Sequence, residues 1–148
     1  MKIKKLLIAN RGEIARRIIQ TCRRLGIQTV GVYSPTDAAT PFVQELDEAI
    51  AIEAASTHMD MHHIVLIAKN TGAEAIHPGY GFLSENFEFA DLVSRQGLIF
   101  IGPTSDAIKQ LGNKIEARNL ALKCGLPVVP GLHTRSLHNV ESELGFPV

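Results

Sequence analysis

Short apolar runs alternate with longer amphipathic stretches over residues 1–112, and each change of pattern falls at a glycine, a proline or a polar cluster. Continuous apolar runs are typical of strands that are buried on both faces of a parallel sheet. The predicted strands cover residues 5–9, 27–33, 49–52, 73–76 and 98–103. This regular alternation of strand and helix predicts an α/β fold, with a doubly wound, mainly five-stranded parallel sheet and helices on both of its faces.

The predicted helices place apolar side chains about one turn apart, as an amphipathic helix requires. The first helix has four such residues on one face: Ile14, Ile18, Cys22 and Leu25. Gly26 follows them and is a natural residue to end the helix. Ser84 is predicted to cap the helix after the fourth strand, because its hydroxyl oxygen can accept a hydrogen bond from a backbone N–H.

The pattern changes after residue 112. Asn113 is predicted to cap a helix that leaves the sheet domain and ends near Gly125. Residues 132–139 are polar without a clear period, and residues 145–148 resemble the beginning of a strand. We therefore divide the chain into a sheet domain over 1–112, a helical linker over 113–131 and the beginning of a further domain over 132–148.

The composition argues against several classes of protein. The 148 residues are 45% hydrophobic and 20% charged with a net charge of zero, so no overall field attracts nucleic acid or an anionic membrane. No apolar run is long enough for a transmembrane helix or for the core of a signal peptide. Cys22 and Cys124 fit free thiols in a reducing compartment. We expect a cytoplasmic protein without nucleic acid or membrane partners.

The segment that follows the fourth strand carries the strongest candidate chemistry. It reads His77-Pro78-Gly79-Tyr80-Gly81, and the carboxyl end of a parallel strand is where ligands bind in α/β sheets. Two glycines beside a proline fix an unusual backbone path, and a positive φ is predicted at Gly79 or Gly81. In such a turn the Tyr80 phenol is expected to be accessible. From these residues alone, a purely structural turn stays open as an alternative.

Two weaker signals are interpreted as structural. The first strand-to-helix turn has Gly12 alone where a dinucleotide site needs three spaced glycines, and Glu13 would repel phosphate. His58 and His62 lie one helical turn apart, a spacing that suits zinc, but no further ligand has matching spacing. We therefore predict neither a dinucleotide site nor a metal site.

Lys114 directly follows the predicted cap at the beginning of the linker helix. A cation at a helix N-terminus is opposed by the helix dipole, typically by a few tenths of a kcal/mol or more. The mismatch suggests an anionic partner, although a solvated lysine is the more ordinary interpretation.

Several motifs of the chain closely resemble the N-terminal domain of biotin carboxylases. The resemblance runs in order along nearly the whole chain. Its strongest blocks are residues 8–15 (IANRGEIA), 75–86 (AIHPGYGFLSEN), 100–103 (FIGP), 111–114 (LGNK) and 126–131 (LPVVPG). The family includes the biotin carboxylase components of acyl-CoA, pyruvate and urea carboxylases.

The resemblance implies a Rossmann-like domain that precedes an ATP-grasp domain, whose beginning would be residues 132–148. In that family, ATP and bicarbonate carboxylate biotin on a carrier protein, with carboxyphosphate as the expected intermediate. The implied cofactors are ATP, Mg²⁺ and biotin. The implied partners are the ATP-grasp remainder, the biotin carrier protein and a carboxyltransferase component.

The resemblance also assigns residues. Lys114 matches the lysine that reaches the nucleotide, and Tyr80 and Glu85 match residues that border the biotin and bicarbonate pocket. Four residues are assigned to shaping the turn: His77, Gly79, Gly81 and Asn86. No catalytic residue is assigned within these 148 residues, so we expect the chain alone to be inactive and to hold no cofactor tightly.

The chain departs from the family pattern at three places. Asn113 stands where an aspartate is usual, and residues 57–60 differ from the family's usual tetrapeptide. Gln20 and Arg24 stand where an arginine and a glutamate usually help a two-fold dimer contact. We therefore expect the usual homodimer to be weakened and the isolated chain to be largely monomeric.

Two other functions remain open from the sequence. One is the domain that precedes ATP-grasp in another ligase, such as a carbamoyl-phosphate synthetase-like or purine-synthesis protein; those proteins lack the segment 77–81. The other is an interaction domain without catalysis. The acceptor that is finally carboxylated is not encoded here, because the carboxyltransferase component selects it.

Overall fold

The computed structural model describes residues 2–52 and 60–129. Contacts divide the chain between Lys109 and Gln110 into two compact units. The strands are β1 Lys5–Ile8, β2 Gln28–Tyr33, β3 Glu48–Ala51, β4 Ala75–His77 and β5 Ile99–Phe100. The helices are α1 Gly12–Leu25, α2 Pro41–Glu45, α3 Met61–Asn70, α4 Phe87–Arg95, α5 Ser105–Gly112 and α6 Lys114–Lys123.

The five strands form one sheet in the order β3-β2-β1-β4-β5, and every neighbouring pair is parallel. This confirms the predicted parallel sheet. Strand β1 lies in the centre, with Ile8 opposite Gly31 of β2 and opposite His77 of β4. The order of the strands reverses between β1 and β4, which is the position where ligand crevices form in open α/β sheets.

Apolar side chains cover both faces of the sheet, so the predicted doubly wound arrangement is confirmed. One cluster joins the sheet to α1 and α2, and its buried residues are Leu6, Ile8, Ala15, Ile18, Ile19, Cys22, Phe42 and Ala75. The other joins the sheet to α3 and α4 and includes Leu7, Val30, Ile64, Val65, Ala68, Ile76, Phe89 and Val93. Fully apolar strands follow from this burial on two sides.

Helix α1 buries a different stripe from the predicted one. The buried positions are Ala15, Ile18, Ile19 and Cys22, whereas Leu25 is 56% exposed. At 100° per residue the buried stripe is rotated toward Ala15 and Ile19, which leaves Leu25 at its edge. Gly26 ends the helix with a left-handed φ of 67°, as predicted.

The prediction that Ser84 caps the fourth helix is wrong. Ser84 lies inside a 3-10 turn over Phe82–Glu85, and its own N–H donates to the Gly81 carbonyl at 3.0 Å. Helix α4 begins at Phe87, and Asn86 caps it by accepting the Phe89 N–H at 3.0 Å. The chain needs the extra turn because its path through Gly81 is not helical.

The fifth strand is also shorter than predicted. Its last ladder bond runs from the Ile101 N–H to the Ile76 carbonyl at 2.9 Å. The chain bends at Gly102 and Pro103, and proline has no N–H with which to extend a ladder. Both cysteines are free thiols, as predicted.

The second unit is described over residues 110–129 and contains α6. Asn113 caps this helix as predicted, because its Oδ1 accepts the N–H groups of Ile115 at 2.9 Å and Glu116 at 3.3 Å. None of residues 110–129 is buried. Residues 132–148, the predicted beginning of an ATP-grasp domain, lie outside the described residues. Over 2–52 and 60–129, no helix combines the length and apolar character needed to cross a membrane.

Candidate functional site

The candidate site lies where β1 and β4 end side by side. The Ala9 N–H donates to the His77 carbonyl at 2.9 Å, which carries the parallel ladder one residue beyond β1. Beyond this bond, β1 continues into the turn at Asn10, and β4 continues into the turn over residues 78–81, which we call the β4 turn. The two turns therefore meet at the centre of the sheet, at the reversal of strand order.

The β4 turn has a strained backbone. Gly79 and Gly81 have φ of 70° and 65°, so the predicted positive φ is confirmed at both residues. Phe82 follows with φ of 47°, which is a rare value for a bulky side chain. A non-glycine residue in this region costs on the order of 1–3 kcal/mol and persists where the surrounding structure holds it.

Gly79 is required for a second reason. A Cβ atom added to it would lie 2.6 Å from Asn10 Nδ2 and 2.7 Å from Ile14 Cγ2, well inside van der Waals contact. A Cβ atom added to Gly81 would meet nothing within 4 Å. The backbone of the β4 turn therefore touches the β1 turn at Gly79 and not at Gly81.

Asn10 connects the two turns. Its side chain is fully buried, and its Nδ2 donates to the Pro78 carbonyl at 2.7 Å and to the Tyr80 carbonyl at 3.0 Å. Its Oδ1 accepts the Arg11 N–H at 2.9 Å. Sequence reasoning did not single out Asn10. The available signal was a polar residue directly after a fully apolar strand, at the end where ligands usually bind.

Tyr80 is 63% exposed, and its phenol donates to Glu13 Oε1 at 2.6 Å. The hydrogen bond to Glu13 raises the pKa of Tyr80, and partial desolvation and the negative charge of Glu13 raise it further. The phenol therefore stays protonated at neutral pH. Glu13 was interpreted from the sequence only as an obstacle to phosphate, and its contact with a residue 67 positions away was missed.

His77 is partly buried at the end of β4, and its Nδ1 accepts the Gly79 N–H at 3.0 Å. Burial lowers the pKa of His77 below its usual value of 6.5. The neutral ring is the form that can accept from Gly79, because a protonated imidazole donates at both nitrogens. His77 thus contacts the turn that it was predicted to shape.

Arg11 forms an ion pair with Asp37, which lies just after the end of the neighbouring strand β2. Its Nη2 lies 2.8 Å from Asp37 Oδ1, and the Asp37 side chain is only 5% exposed. Ser34 Oγ donates to the same carboxylate at 3.0 Å. The positive charge beside the first strand-to-helix turn is therefore neutralised within the protein, which argues against an anion site there.

The remaining predicted residues occupy two places. Glu85 is exposed at the end of the 3-10 turn that begins at Phe82, and Asn86 caps α4. Lys114 is exposed at the first position of α6, in the second unit. The structure thus brings His77 and Tyr80 together with Asn10 and Glu13, while Lys114 belongs to a different unit.

An apolar groove lies beside the β4 turn within the first unit. Its volume is about 640 Å³, and its polar lining includes Glu13, Arg17, Thr21, His77 and Tyr80. Its apolar lining includes Ile3, Leu6, Ile14, Ile18, Leu25 and Ile101. His58 lies outside the described residues. Over the described parts of the chain, no group of three His, Cys, Asp or Glu side chains is arranged to hold a metal ion.

Comparison with known proteins gives a consistent result. Residues 2–108 match the family model described as biotin carboxylase, N-terminal domain. Biotin carboxylase 1 of Bacillus subtilis is 48% identical, over 99% of this chain and 34% of its own length. The mitochondrial methylcrotonoyl-CoA carboxylase subunit alpha of Dictyostelium discoideum is 47% identical, over 99% of this chain and 22% of its own length.

Solved structures agree. The biotin carboxylase domain of 2-oxoglutarate carboxylase from Hydrogenobacter thermophilus superimposes with a TM-score of 0.93 at 40% identity, covering 99% of this chain and 34% of that one. That structure is a dimer in complex with MgADP, ADP and bicarbonate. The chain therefore spans about a third or less of the length of these relatives, in which the matching region is part of a longer protein.

Proposed function

The chain belongs to the family of biotin carboxylase N-terminal domains, and on this premise we propose that its protein uses ATP and bicarbonate to carboxylate biotin held on a carrier protein. The observation that carries the proposal is the match along 99% of the chain to a biotin carboxylase. The β4 turn supports it, since a fixed and exposed phenol lies at the strand ends where α/β domains bind ligands.

We propose that Tyr80 and Glu85 border the pocket for biotin and bicarbonate. Both side chains are exposed, Tyr80 in the β4 turn and Glu85 at the end of the 3-10 turn that follows it, and Tyr80 is held by a hydrogen bond to Glu13. His77, Gly79 and Gly81 give the β4 turn its backbone path, and Asn86 caps the helix that follows. Tyr80 is a neutral phenol that donates its proton to Glu13, and its oxygen can still accept a hydrogen bond from a ligand.

We propose that Lys114 binds the nucleotide, because an exposed ammonium group is a suitable phosphate ligand. One hydrogen bond to a charged group is worth roughly 1.5–3 kcal/mol, whereas micromolar affinity needs about 8 kcal/mol. Lys114 alone is therefore insufficient, and further contacts to ATP and ligands for Mg²⁺ are needed. The ATP-grasp part of the protein is proposed to supply them.

The proposed partners follow from the same chemistry. Carboxylated biotin is useful only if a carrier protein moves it to a carboxyltransferase component. We propose that the protein acts in the cytoplasm, in keeping with its two free thiols. The relatives from Dictyostelium and mouse are mitochondrial, so the compartment differs among family members.

The test is an assay of the complete gene product with Mg-ATP, biotin and isotopically labelled bicarbonate. ATP hydrolysis that depends on bicarbonate, together with label on biotin, is the expected result. Lys114→Gln is expected to raise the KM for ATP while circular dichroism stays unchanged. ATP hydrolysis that ignores both bicarbonate and biotin would overturn the proposal.

A second measurement concerns the 148-residue chain by itself. Calorimetry with Mg-ATP is expected to show no binding tighter than about 10 μM, since one lysine cannot supply the necessary free energy. Tighter binding would show that these residues contain a complete nucleotide site.

A further inference from the structure

We infer that Asn10 and Glu13 are positioning residues for Tyr80: Asn10 fixes the backbone of the β4 turn, and Glu13 aims the phenol. This inference rests on the proposed function, because it assumes that Tyr80 borders the biotin and bicarbonate pocket. It adds two residues of the first strand-to-helix turn to a site that sequence reasoning placed on the fourth strand.

The backbone of the β4 turn needs an external support. Phe82 has a positive φ, and Gly81 combines a φ of 65° with a ψ of −168°, so this path is unfavourable in an isolated chain. The Asn10 amide donates to the carbonyl groups on both sides of Gly79, those of Pro78 and Tyr80. Both hydrogen bonds end on residues nearly 70 positions away, so they fix the turn against the centre of the sheet.

Because Asn10 is buried, the loss of its two hydrogen bonds to the β4 turn would leave polar groups unpaired in the interior. Asn10 is fully buried at the reversal of strand order, where many α/β domains keep an open crevice for a ligand. Here the amide of Asn10 and the backbone of Gly79 occupy that position and leave no room even for a Cβ atom. A ligand would therefore contact the exposed side chain of Tyr80 in the β4 turn, and not the backbone at the centre of the sheet.

Glu13 determines the direction of that side chain. Tyr80 is too exposed for packing alone to fix its ring, and its phenol donates to Glu13 at 2.6 Å. Glu13 lies in the first turn of α1, which is anchored by the buried side chains of Ala15 and Ile18. The Tyr80 phenol donates its proton to Glu13, and its oxygen still has lone pairs that can accept a hydrogen bond. Biotin carries ureido N–H groups that can supply one.

The chain offers a clean optical test. It has two tyrosines and no tryptophan, so a Tyr33→Phe background leaves Tyr80 as the only phenol. Hydrogen bonding to a carboxylate quenches tyrosine emission, and release of the phenol at neutral pH increases it. Glu13→Ala is expected to increase Tyr80 emission, and Glu13→Gln is expected to give an intermediate value because its amide oxygen still accepts. Glu13 is exposed, so neither variant endangers folding.

Asn10→Ala is the decisive variant, since Asn10 contacts the Tyr80 carbonyl and not its phenol. It is expected to increase emission as Glu13→Ala does. A lower melting temperature with unchanged emission would show that Asn10 only packs the core. Should Asn10→Ala fail to fold, Asn10→Ser keeps a small polar group and is judged by the same emission.

Kinetics on the complete gene product separate this inference from the proposed function. Asn10→Ala is expected to raise the KM for biotin by ten- to a hundredfold, the order expected for a misplaced binding group, with the KM for ATP unchanged. Equal changes in both constants would overturn the positioning role. If the gene product has no biotin carboxylase activity, the proposed function fails, and the emission data still decide whether Asn10 and Glu13 hold Tyr80.

Discussion

The sheet domain and residues 110–129, the described part of the helical segment that follows it, differ in how many of their side chains are buried. The sheet has a buried cluster on each face, and its site turn is held by Asn10 and Glu13. Residues 110–129 bury nothing, and Leu111, Leu126 and Val129 are 60%, 59% and 84% exposed. The proposed pocket residue Tyr80 therefore lies on a domain with a buried core, whereas the described residues around the proposed nucleotide ligand Lys114 contain none that is buried.

Because they differ in burial, the two regions are expected to be stabilised in different ways. Burial of apolar side chains stabilises the sheet domain cooperatively. Helix α6 has ten residues, and isolated helices shorter than about 12–15 residues are marginal in water. By itself α6 is therefore expected to be only marginally stable. In the relatives, about two thirds or more of the chain lies outside the matching region.

The largest expected difference comes from removing an apolar side chain in each region. Phe89 is fully buried and meets Phe100 edge to face at a centroid distance of 5.9 Å. Phe89→Ala is expected to lower the free energy of unfolding by about 3–5 kcal/mol. Leu111→Ala, at an exposed position, is expected to change it by less than about 0.5 kcal/mol. Urea unfolding followed by circular dichroism measures both. Equal losses would remove the contrast between the regions.

Within the sheet domain, the two glycines of the β4 turn provide a finer comparison. Gly79→Ala adds a steric clash with Asn10 and Ile14 to an unfavourable φ, whereas Gly81→Ala adds only the unfavourable φ. We expect a loss of about 1–3 kcal/mol for Gly81→Ala and a larger loss for Gly79→Ala. Thermal melts of the two variants decide this. If they melt together, Gly79 is not packed against the first turn.

The two regions can also be compared through the same substitution, because each has a helix that is capped by an asparagine. Asn86 caps α4 in the sheet domain, and Asn113 caps α6. Each substitution by alanine is expected to cost about 1 kcal/mol of helix stability. For Asn86→Ala the loss should appear in global urea unfolding. For Asn113→Ala it should appear only as reduced helicity, since α6 contributes no buried residue. A global loss for both variants would mean that α6 is part of the cooperative core.

The smallest expected effect is the pH dependence that His77 adds to the sheet domain. Burial lowers the pKa of folded His77 below 6.5, so folding favours the neutral ring. The resulting stability is complete above about pH 6.5 and is lost as the pH falls through the folded pKa. Protonation also removes the acceptor for the Gly79 N–H. The difference in unfolding free energy between wild type and His77→Gln should shrink from about pH 7.5 to about pH 5. Parallel curves would contradict this.

The sequence predicted local features well, because each one depends on neighbouring residues. Strands buried on two sides must be apolar runs, and Gly26 had to follow α1 because the chain there takes a left-handed φ. Asn113 was recognised as a cap for the same local reason. The Gly79 and Gly81 conformations followed from their place beside Pro78.

What the sequence did not predict depends on distant residues. Nothing near Asn10 indicates that its amide binds carbonyl groups nearly 70 positions away, and Glu13 gained a partner only through the pairing of β1 with β4. Ser84 failed as a cap because the path through Gly81 and Phe82 delays the helix to Phe87. The domain limits at residues 112 and 131 and the roles of Lys114, Tyr80 and Glu85 stay predictions.

Amide hydrogen exchange on the 148-residue chain separates the two regions most directly, because it compares hydrogen bonds of similar length. In the sheet domain, the Ala9 N–H donates to His77 and the Ile101 N–H to Ile76, both at 2.9 Å. In α6, the Ala117 N–H donates to Asn113 at 2.8 Å and the Cys124 N–H to Leu120 at 3.0 Å. We predict that the Ala9 and Ile101 amides exchange only through global unfolding, while those of Ala117 and Cys124 exchange much faster through local opening. Equal protection at all four amides would contradict the predicted difference in stability between the sheet domain and α6.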